Sequence, residues 1–216
     1  MKISIMQPYF LPYLNYFKLI SMSDHFFILN DVNFPKKKFI NKNSFSSNGK
    51  FNWTLPVAEI SQNKKINQHY FYDFEMNKKK LKINFYNYFK KHYYYDQNLL
   101  DRIFEYNDNK IDLFIKESIG IICDYLYIKT KISFTSDIQD IREKGQDRIL
   151  KICDRYKATE YLNLPSGINL YNKEEFKKKN IKLSFIPDVL NDDLKVSVLD
   201  IIFTYGQESI IKMLRH

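Results

Sequence analysis

The chain has 216 residues, of which 44% are hydrophobic, so it is long and apolar enough for one large domain with a proper core. Its formal net charge is +9, but the lysine clusters are dispersed among Asp and Glu and no nucleic-acid-binding motif accompanies them. There is no signal segment, and no apolar run approaches the length of a membrane span. These features predict a cytoplasmic protein without a nucleic-acid partner.

The first stretch, Lys2 to Tyr16, predicts a strand, a loop and a helix. Ile3 and Ile5 suit a buried strand, and Pro8 ends it because proline cannot donate a ladder hydrogen bond. Pro12 suits the first turn of a helix. In open α/β sheets, ligands bind beyond the carboxyl ends of the strands. The candidate substrate-binding residues here are Gln7, Tyr9, Tyr13 and Asn15, and the alternative is a tight turn whose tyrosines only pack.

A second buried strand is predicted over residues 24–31, where it ends in Asn30-Asp31. A right-handed crossover makes the first two strands parallel neighbours, so their carboxyl ends lie at one edge of the sheet. Gln7 and Asp31 are therefore predicted to face one crevice. The alternative for Asp31 is an acidic residue that caps a turn.

Residues 34–44 mix lysines, amides and aromatic side chains. Such a segment is either a loop that contacts phosphate or sugar, or an exposed connector. Its candidate binding residues are Lys38, Asn41 and Asn43. After it, Asn48-Gly49 indicates a hairpin turn and residues 51–57 a strand. Trp53 is interpreted as a core residue, with an aromatic platform for a ligand as the alternative.

The rest of the chain predicts helices first and then strands alternating with helices. Apolar residues recur at helical spacing over about residues 77–127, and strands follow near residues 131, 160 and 182. Ser166-Gly167 follows one of these strands and is assigned to the substrate site, although Ser166 lies in no nucleophile-elbow motif. The predicted fold is a single α/β domain over 1–216. It has a Rossmann-like, largely parallel sheet with flanking helices and a helical insertion at about 77–127.

The cysteines and histidines do not indicate a metal site. Cys123 and Cys153 lie in apolar, helix-like surroundings and are predicted to be reduced core thiols. No pair of cysteines or histidines has the spacing of metal ligands.

Several blocks of the sequence resemble the WbqC-like protein family. The two most specific are Met6-Gln7-Pro8-Tyr9-Phe10-Leu11-Pro12-Tyr13 and Phe27-Ile28-Leu29-Asn30-Asp31-Val32-Asn33-Phe34. Shorter blocks that fit are Trp53-Thr54-Leu55-Pro56-Val57, Ser166-Gly167 and Val198-Leu199-Asp200. Asn15, Asn33 and Lys42 depart from the Gly, Gln and Arg that are usual in the family.

The resemblance implies a bacterial protein encoded among the genes of surface-polysaccharide (O-antigen, lipopolysaccharide or capsule) biosynthesis. The implied reaction is the transfer of an acyl or aminoacyl group, from acyl-CoA or an activated amino acid, to a nucleotide-linked amino sugar. Asp31 is the candidate base, and His92 is an alternative base if the helical insertion covers the pocket. Gln7, Asn41 and Asn43 are candidate oxyanion donors, and Lys36–Lys38 would meet a diphosphate.

Two other functions stay open. One is an ATP-dependent amide ligase that forms an acyl adenylate, with Tyr13 and Ser166-Gly167 near the nucleotide. The other is a non-catalytic sugar-binding protein of a glycan locus. A homodimeric assembly is also left open.

Overall fold

The computed structural model describes residues 1–35, 39–187 and 196–215, and the chain divides into two compact units. The first unit consists of Met1–Gln7, Asn15–Leu29 and Lys129–Val189. The second unit consists of Pro8–Leu14, Asn30–Ile128 and Leu190–His216. The single domain with a helical insertion stays a prediction.

The strands and helices of the described residues are as follows. The strands are β1 (Lys2–Met6), β2 (His25–Ile28), β3 (Lys42–Phe45), β4 (Phe51–Thr54), β5 (Lys131–Phe134), β6 (Glu160–Asn163) and β7 (Lys182–Phe185). The helices are α1 (Leu14–Ser21), α2 (Phe74–Phe89), α3 (Gln97–Glu105), α4 (Ile111–Tyr125), α5 (Gly145–Arg155), α6 (Lys173–Lys178), α7 (Val198–Tyr205) and α8 (Gln207–Arg215). None of these helices combines the length and apolar character that a membrane-spanning segment requires.

The first unit is built on a five-stranded sheet in the order β5-β2-β1-β6-β7. Every neighbouring pair in it is parallel, and Ile3 of the central strand lies opposite both His25 and Tyr161. Counted along the chain, the sheet strands follow the order 3-2-1-4-5, which is the strand order of Rossmann-type sheets. The predicted α/β, Rossmann-like fold is therefore confirmed.

Helices cover both faces of this sheet. Ile3, Ile5 and Phe27 project from one face into a core with residues of α5 and α6, because alternate residues of a strand share a face. On the opposite face, the Phe26 ring lies 5.3 Å from the ring of Tyr16 in α1. This two-faced burial explains why the three central residues of β1 and all four residues of β2 are buried.

The second unit contains an antiparallel hairpin and a set of helices. β3 and β4 pair in register from Lys42–Thr54 to Phe45–Phe51, with Asn48-Gly49 in the turn as predicted. Trp53 is 4% exposed and packs against the rings of Phe45 and Phe85, which confirms the core interpretation. β3 itself was not predicted, because Lys-Asn-Ser-Phe lacks an apolar alternation and owes its conformation to pairing with β4.

The predicted start of the first helix needs correction. The first helix begins at Leu14 rather than at Pro12, so Asn15 belongs to the helix and not to the preceding loop. Residue Leu11 has a φ of 46°, which provides the turn before this helix. Between β6 and β7, the chain forms a 3-10 turn at Pro165–Leu170 and the short helix α6. Both cysteines are free and buried, as expected.

We predict that His25 makes the first unit less stable in acid. The ring is 4% exposed, stacks on Phe27 and lies 2.9 Å from the Ser133 hydroxyl. Burial, assisted by the charge of Lys131, lowers the pKa of His25 to about 4. In the unfolded chain, histidine has a pKa of about 6.5 and takes up its proton near that pH. The free energy of unfolding therefore falls as the pH drops from about 6.5 to about 4, and at about pH 5 it has fallen by about 2 kcal/mol.

Urea unfolding at about pH 7.5 and pH 5 checks this, with His25→Gln as the comparison because glutamine can still bond to Ser133 but does not titrate. Between these two pH values, the free energy of unfolding should fall by about 2 kcal/mol more in the wild type than in the variant. Equal losses in both proteins would contradict the prediction.

Candidate functional site

The strand order places the switch point of the sheet between β1 and β6, because the chain runs from β1 to one side and later returns to the other. Ligands of open α/β sheets bind beyond the carboxyl ends of the strands at this point. Gln7 directly follows β1, and Ser166-Gly167 follows β6 by three residues. Since β1 and β6 are parallel neighbours, these residues lie at one edge of the sheet. We call Gln7, Ser166 and Gly167, with Asn15 and Lys18 of α1, the switch-point edge.

A buried polar network shapes the β6 side of this edge. The Asn163 amide donates to the Tyr171 hydroxyl at 3.0 Å, and that hydroxyl lies 3.2 Å from the hydroxyl of Tyr161. A Cβ at Gly167 would lie 3.0 Å from the Asn163 amide nitrogen, so glycine lets the 3-10 turn pack closely on this network. Gly167 is therefore buried for packing reasons, whereas its neighbour Ser166 is exposed at the edge.

The β1 side is held by α1. Tyr16 is fully buried, and its hydroxyl donates to the main-chain carbonyl of Gln7 at 2.9 Å. This bond fixes the peptide that follows β1, while the Gln7 side chain is half-buried. Asn15 is buried on the same helix.

Lys18 is a buried cation that the sequence analysis did not single out. Every residue of α1 from Leu14 to Ile20 is buried, and Lys18 is only 2% exposed. Its ammonium group has no hydrogen-bond partner among the residues that the structure describes, and burial lowers the pKa of this lysine. A buried, unpaired ammonium is costly, which makes Lys18 a candidate partner for an anionic ligand.

Lys18 is the fifth residue of α1 and lies in its last turn, about 6 Å along the axis from the first residue. Helical side chains tilt towards the helix N-terminus, and an extended lysine side chain could span that distance. The first turn of α1, which follows the carboxyl end of β1, carries partial positive charge.

Asn41 and Asn43 of the second unit are both engaged with the main chain. The Asn41 amide donates to the Leu55 carbonyl at 2.9 Å, and the Asn43 amide donates to the Leu11 carbonyl at 2.9 Å. The Asn43 side-chain oxygen accepts the N–H of Ser44 as well. In this structure the two amides hold the hairpin and the loop after Pro8 in place.

The other predicted residues of the second unit differ in burial and in whether the structure describes them. Tyr9, Tyr13 and Asp31 are half-buried, and Asp31 follows β2 by three residues. Burial raises the pKa of Tyr9, so its hydroxyl stays a proton donor at neutral pH. Lys38, with Lys36 and Lys37, lies outside the described residues.

His92 belongs to a cluster with Ser47 and Asp200 in the second unit. Asp200 is 2% exposed and accepts the N–H groups of Ser46 and Ser47 at 2.8 and 3.2 Å, together with the Ser47 hydroxyl. His92 Nε2 lies 2.8 Å from the same hydroxyl oxygen. A carboxylate can only accept, so the Ser47 proton points to Asp200 and His92 donates through Nε2.

This order of bonds differs from that of a Ser-His-Asp triad, in which histidine accepts the serine proton. The cluster pins the turn of the β3–β4 hairpin, and Nδ1 is the nitrogen through which His92 would accept a proton. The sequence analysis missed Ser47 and Asp200 as partners because they are 153 residues apart. Within the described ranges, no three His, Cys, Asp or Glu side chains are placed to hold a metal ion.

Comparisons with known proteins point to one family. The model of the WbqC-like protein family matches residues 7–212. The chain is 25% identical to the uncharacterized protein Rv1507c of Mycobacterium tuberculosis (strain ATCC 25618 / H37Rv) over 221 residues, which cover 96% of this chain and 95% of that protein. No solved structure matches the chain significantly.

We predict that Lys18→Met stabilises the protein without ligand. Methionine has a similar shape and removes the buried charge, so the free energy of unfolding should rise by about 2 kcal/mol. Urea unfolding measures this. The control is Lys129→Met at an exposed position of the first unit, which should change stability by less than about 0.5 kcal/mol. A loss of stability in Lys18→Met would show that the ammonium has a stabilising partner, contrary to this description.

Proposed function

Because the chain belongs to the WbqC-like protein family, we propose that it is a transferase of surface-polysaccharide biosynthesis. Its substrate is a nucleotide-linked amino sugar, which it N-acylates or aminoacylates. The observation that carries the proposal is the switch-point edge, where polar residues after β1 and β6 and a buried cation on α1 occupy the place at which Rossmann-type sheets bind their ligands.

The charge distribution of the edge suits the diphosphate of such a substrate. Lys18 is a buried cation in the last turn of α1, and the N–H groups of the first turn add partial positive charge. A diphosphate bound there would supply the counter-charge that the described residues do not give to Lys18. Ser166, exposed after β6, would contribute a hydroxyl to a phosphate or to the sugar.

The proposed reaction is nucleophilic substitution at the acyl carbon. The free amine of the sugar forms a C–N bond to the thioester carbonyl carbon of acyl-CoA, the C–S bond breaks, and coenzyme A leaves as the thiol. The nitrogen loses one proton to a base, for which Asp31 is the candidate and His92, through Nδ1, the alternative. Gln7 is the candidate donor to the oxyanion of the tetrahedral intermediate.

Turnover by the purified full-length chain tests this proposal. The protein is incubated with a panel of dTDP- and UDP-linked amino sugars and acyl-CoA donors, and N-acylated products are detected by mass spectrometry. Gln7→Ala should lower kcat/KM by at least about tenfold, because an oxyanion donor is lost. The control Gln139→Ala, at an exposed position of the first unit, should leave kcat/KM unchanged.

The same assay separates the other candidate functions. Release of AMP and pyrophosphate only when ATP is supplied would replace the transferase with an acyl-adenylate-forming ligase. Binding of the nucleotide sugar without any product would identify a sugar-binding protein. The absence of both product formation and binding across the whole panel would reject the proposal.

A further inference from the structure

The second unit contains a cavity of about 630 Å³ that the proposed reaction does not use. It is bounded by the segment that leads into α3, by the end of α4 and by the start of α8. Four of its lining residues are tyrosines, namely Tyr94, Tyr95, Tyr125 and Tyr205. Its volume lies within the range of small-molecule sites.

The tyrosines are held in place by their surroundings. A Cβ at Gly206 would lie 2.8 Å from the Tyr94 ring, and Gly206 has a φ of 80°, so only glycine lets this ring lie against the backbone. The Tyr95 ring packs on Phe203 at 5.3 Å, and its hydroxyl donates to Gln97 at 2.6 Å. Tyr94 and Tyr205 remain 46% and 44% exposed, so both offer ring surface to a ligand.

The charge of the cavity is opposite to that of the chain. The chain has 34 Lys and Arg residues, yet none of the described residues that line the cavity is Lys, Arg or His. Asp96 and Glu208 supply carboxylates instead. Such a site disfavours a phosphate and favours a cation.

The remaining lining groups add hydrogen-bonding capacity. Asn98 and Ser209 offer both donors and acceptors, whereas the Gln97 amide already accepts from Tyr95 and donates to Asp101. Burial raises the pKa of Tyr95 to about 12 and also raises that of Tyr125, so both hydroxyls stay protonated. These groups suit a ligand with several hydroxyls, while tyrosine faces and carboxylates together suit an ammonium group.

We propose that this cavity binds a sugar ring that carries a free ammonium group. The tyrosine rings would cover the apolar face of the sugar, the amides and Ser209 would meet its hydroxyls, and Asp96 and Glu208 would pair with the ammonium. The proposal goes beyond the acyl transfer proposed above, because binding here requires no turnover and no phosphate.

Binding is measured by NMR titration of the full-length protein with glucosamine and N-acetylglucosamine at about pH 6.5, where such an amine is protonated. Glucosamine should bind at least about tenfold more tightly, since acetylation removes the charge. Tyr205→Ala should weaken glucosamine binding by at least about tenfold. Tyr72→Ala is the matched control, because Tyr72 of the same unit is 60% exposed and does not line the cavity.

The variant Asp96→Asn removes the carboxylate charge from the cavity but keeps the cap of α3. The Asp96 carboxylate caps α3 by accepting the N–H of Leu99, and asparagine is an equally good N-cap. This variant should fold normally and should prefer glucosamine over N-acetylglucosamine less strongly than the wild type does, because Glu208 still supplies one carboxylate. Two results with the wild type would overturn the proposal: equal binding of both sugars, or no saturable binding. It would also be overturned if Tyr205→Ala bound glucosamine as tightly as the wild type, or if Asp96→Asn kept the full preference for glucosamine. Because no acyl donor is present, these outcomes do not depend on the transferase activity.

Discussion

The hydrogen bonds that β1 makes on both of its sides fix the geometry of the first unit. β1 pairs in parallel with β2 on one side and with β6 on the other, and both of its faces are buried. A proline is incompatible with such a strand, so Pro8 can stand only after the ladder ends. The change from apolar to polar sequence at Gln7 therefore coincides with the switch point of the sheet, which is where this fold binds ligands.

Much of the fold could be predicted from the sequence because its periodicity reflects burial. The strands around Ile3 and Phe27 are short apolar runs, and the long helices carry clear apolar faces. β3 could not be predicted, since its conformation depends on pairing with β4 rather than on its own residues. Lys18 was missed because the sequence does not reveal that α1 is buried on all sides. The main-chain hydrogen bonds of Asn41 and Asn43 could not be predicted, because their partners are 14 and 32 residues away in the chain.

The two candidate sites differ in the sign of their charge. The switch-point edge has a buried cation, Lys18, and the partial positive charge at the start of α1. The tyrosine-lined cavity has carboxylates and lacks cationic side chains among its described lining residues. The net charge of +9 therefore does not predict the ligand class of either site. The charged side chains at each site determine which ligands suit it. A phosphate suits the first site and an ammonium-bearing sugar suits the second.

The carboxyl ends of β1 and β6 are proposed to form the binding site for a nucleotide-linked sugar. Hydrogen–deuterium exchange of the full-length protein with and without a saturating dTDP-amino sugar tests it most directly, since amide protection is read segment by segment. Binding at this site should slow exchange in peptides that cover residues 7–18 and 163–170. Protection confined to other segments, with unchanged exchange in both of these, would contradict it.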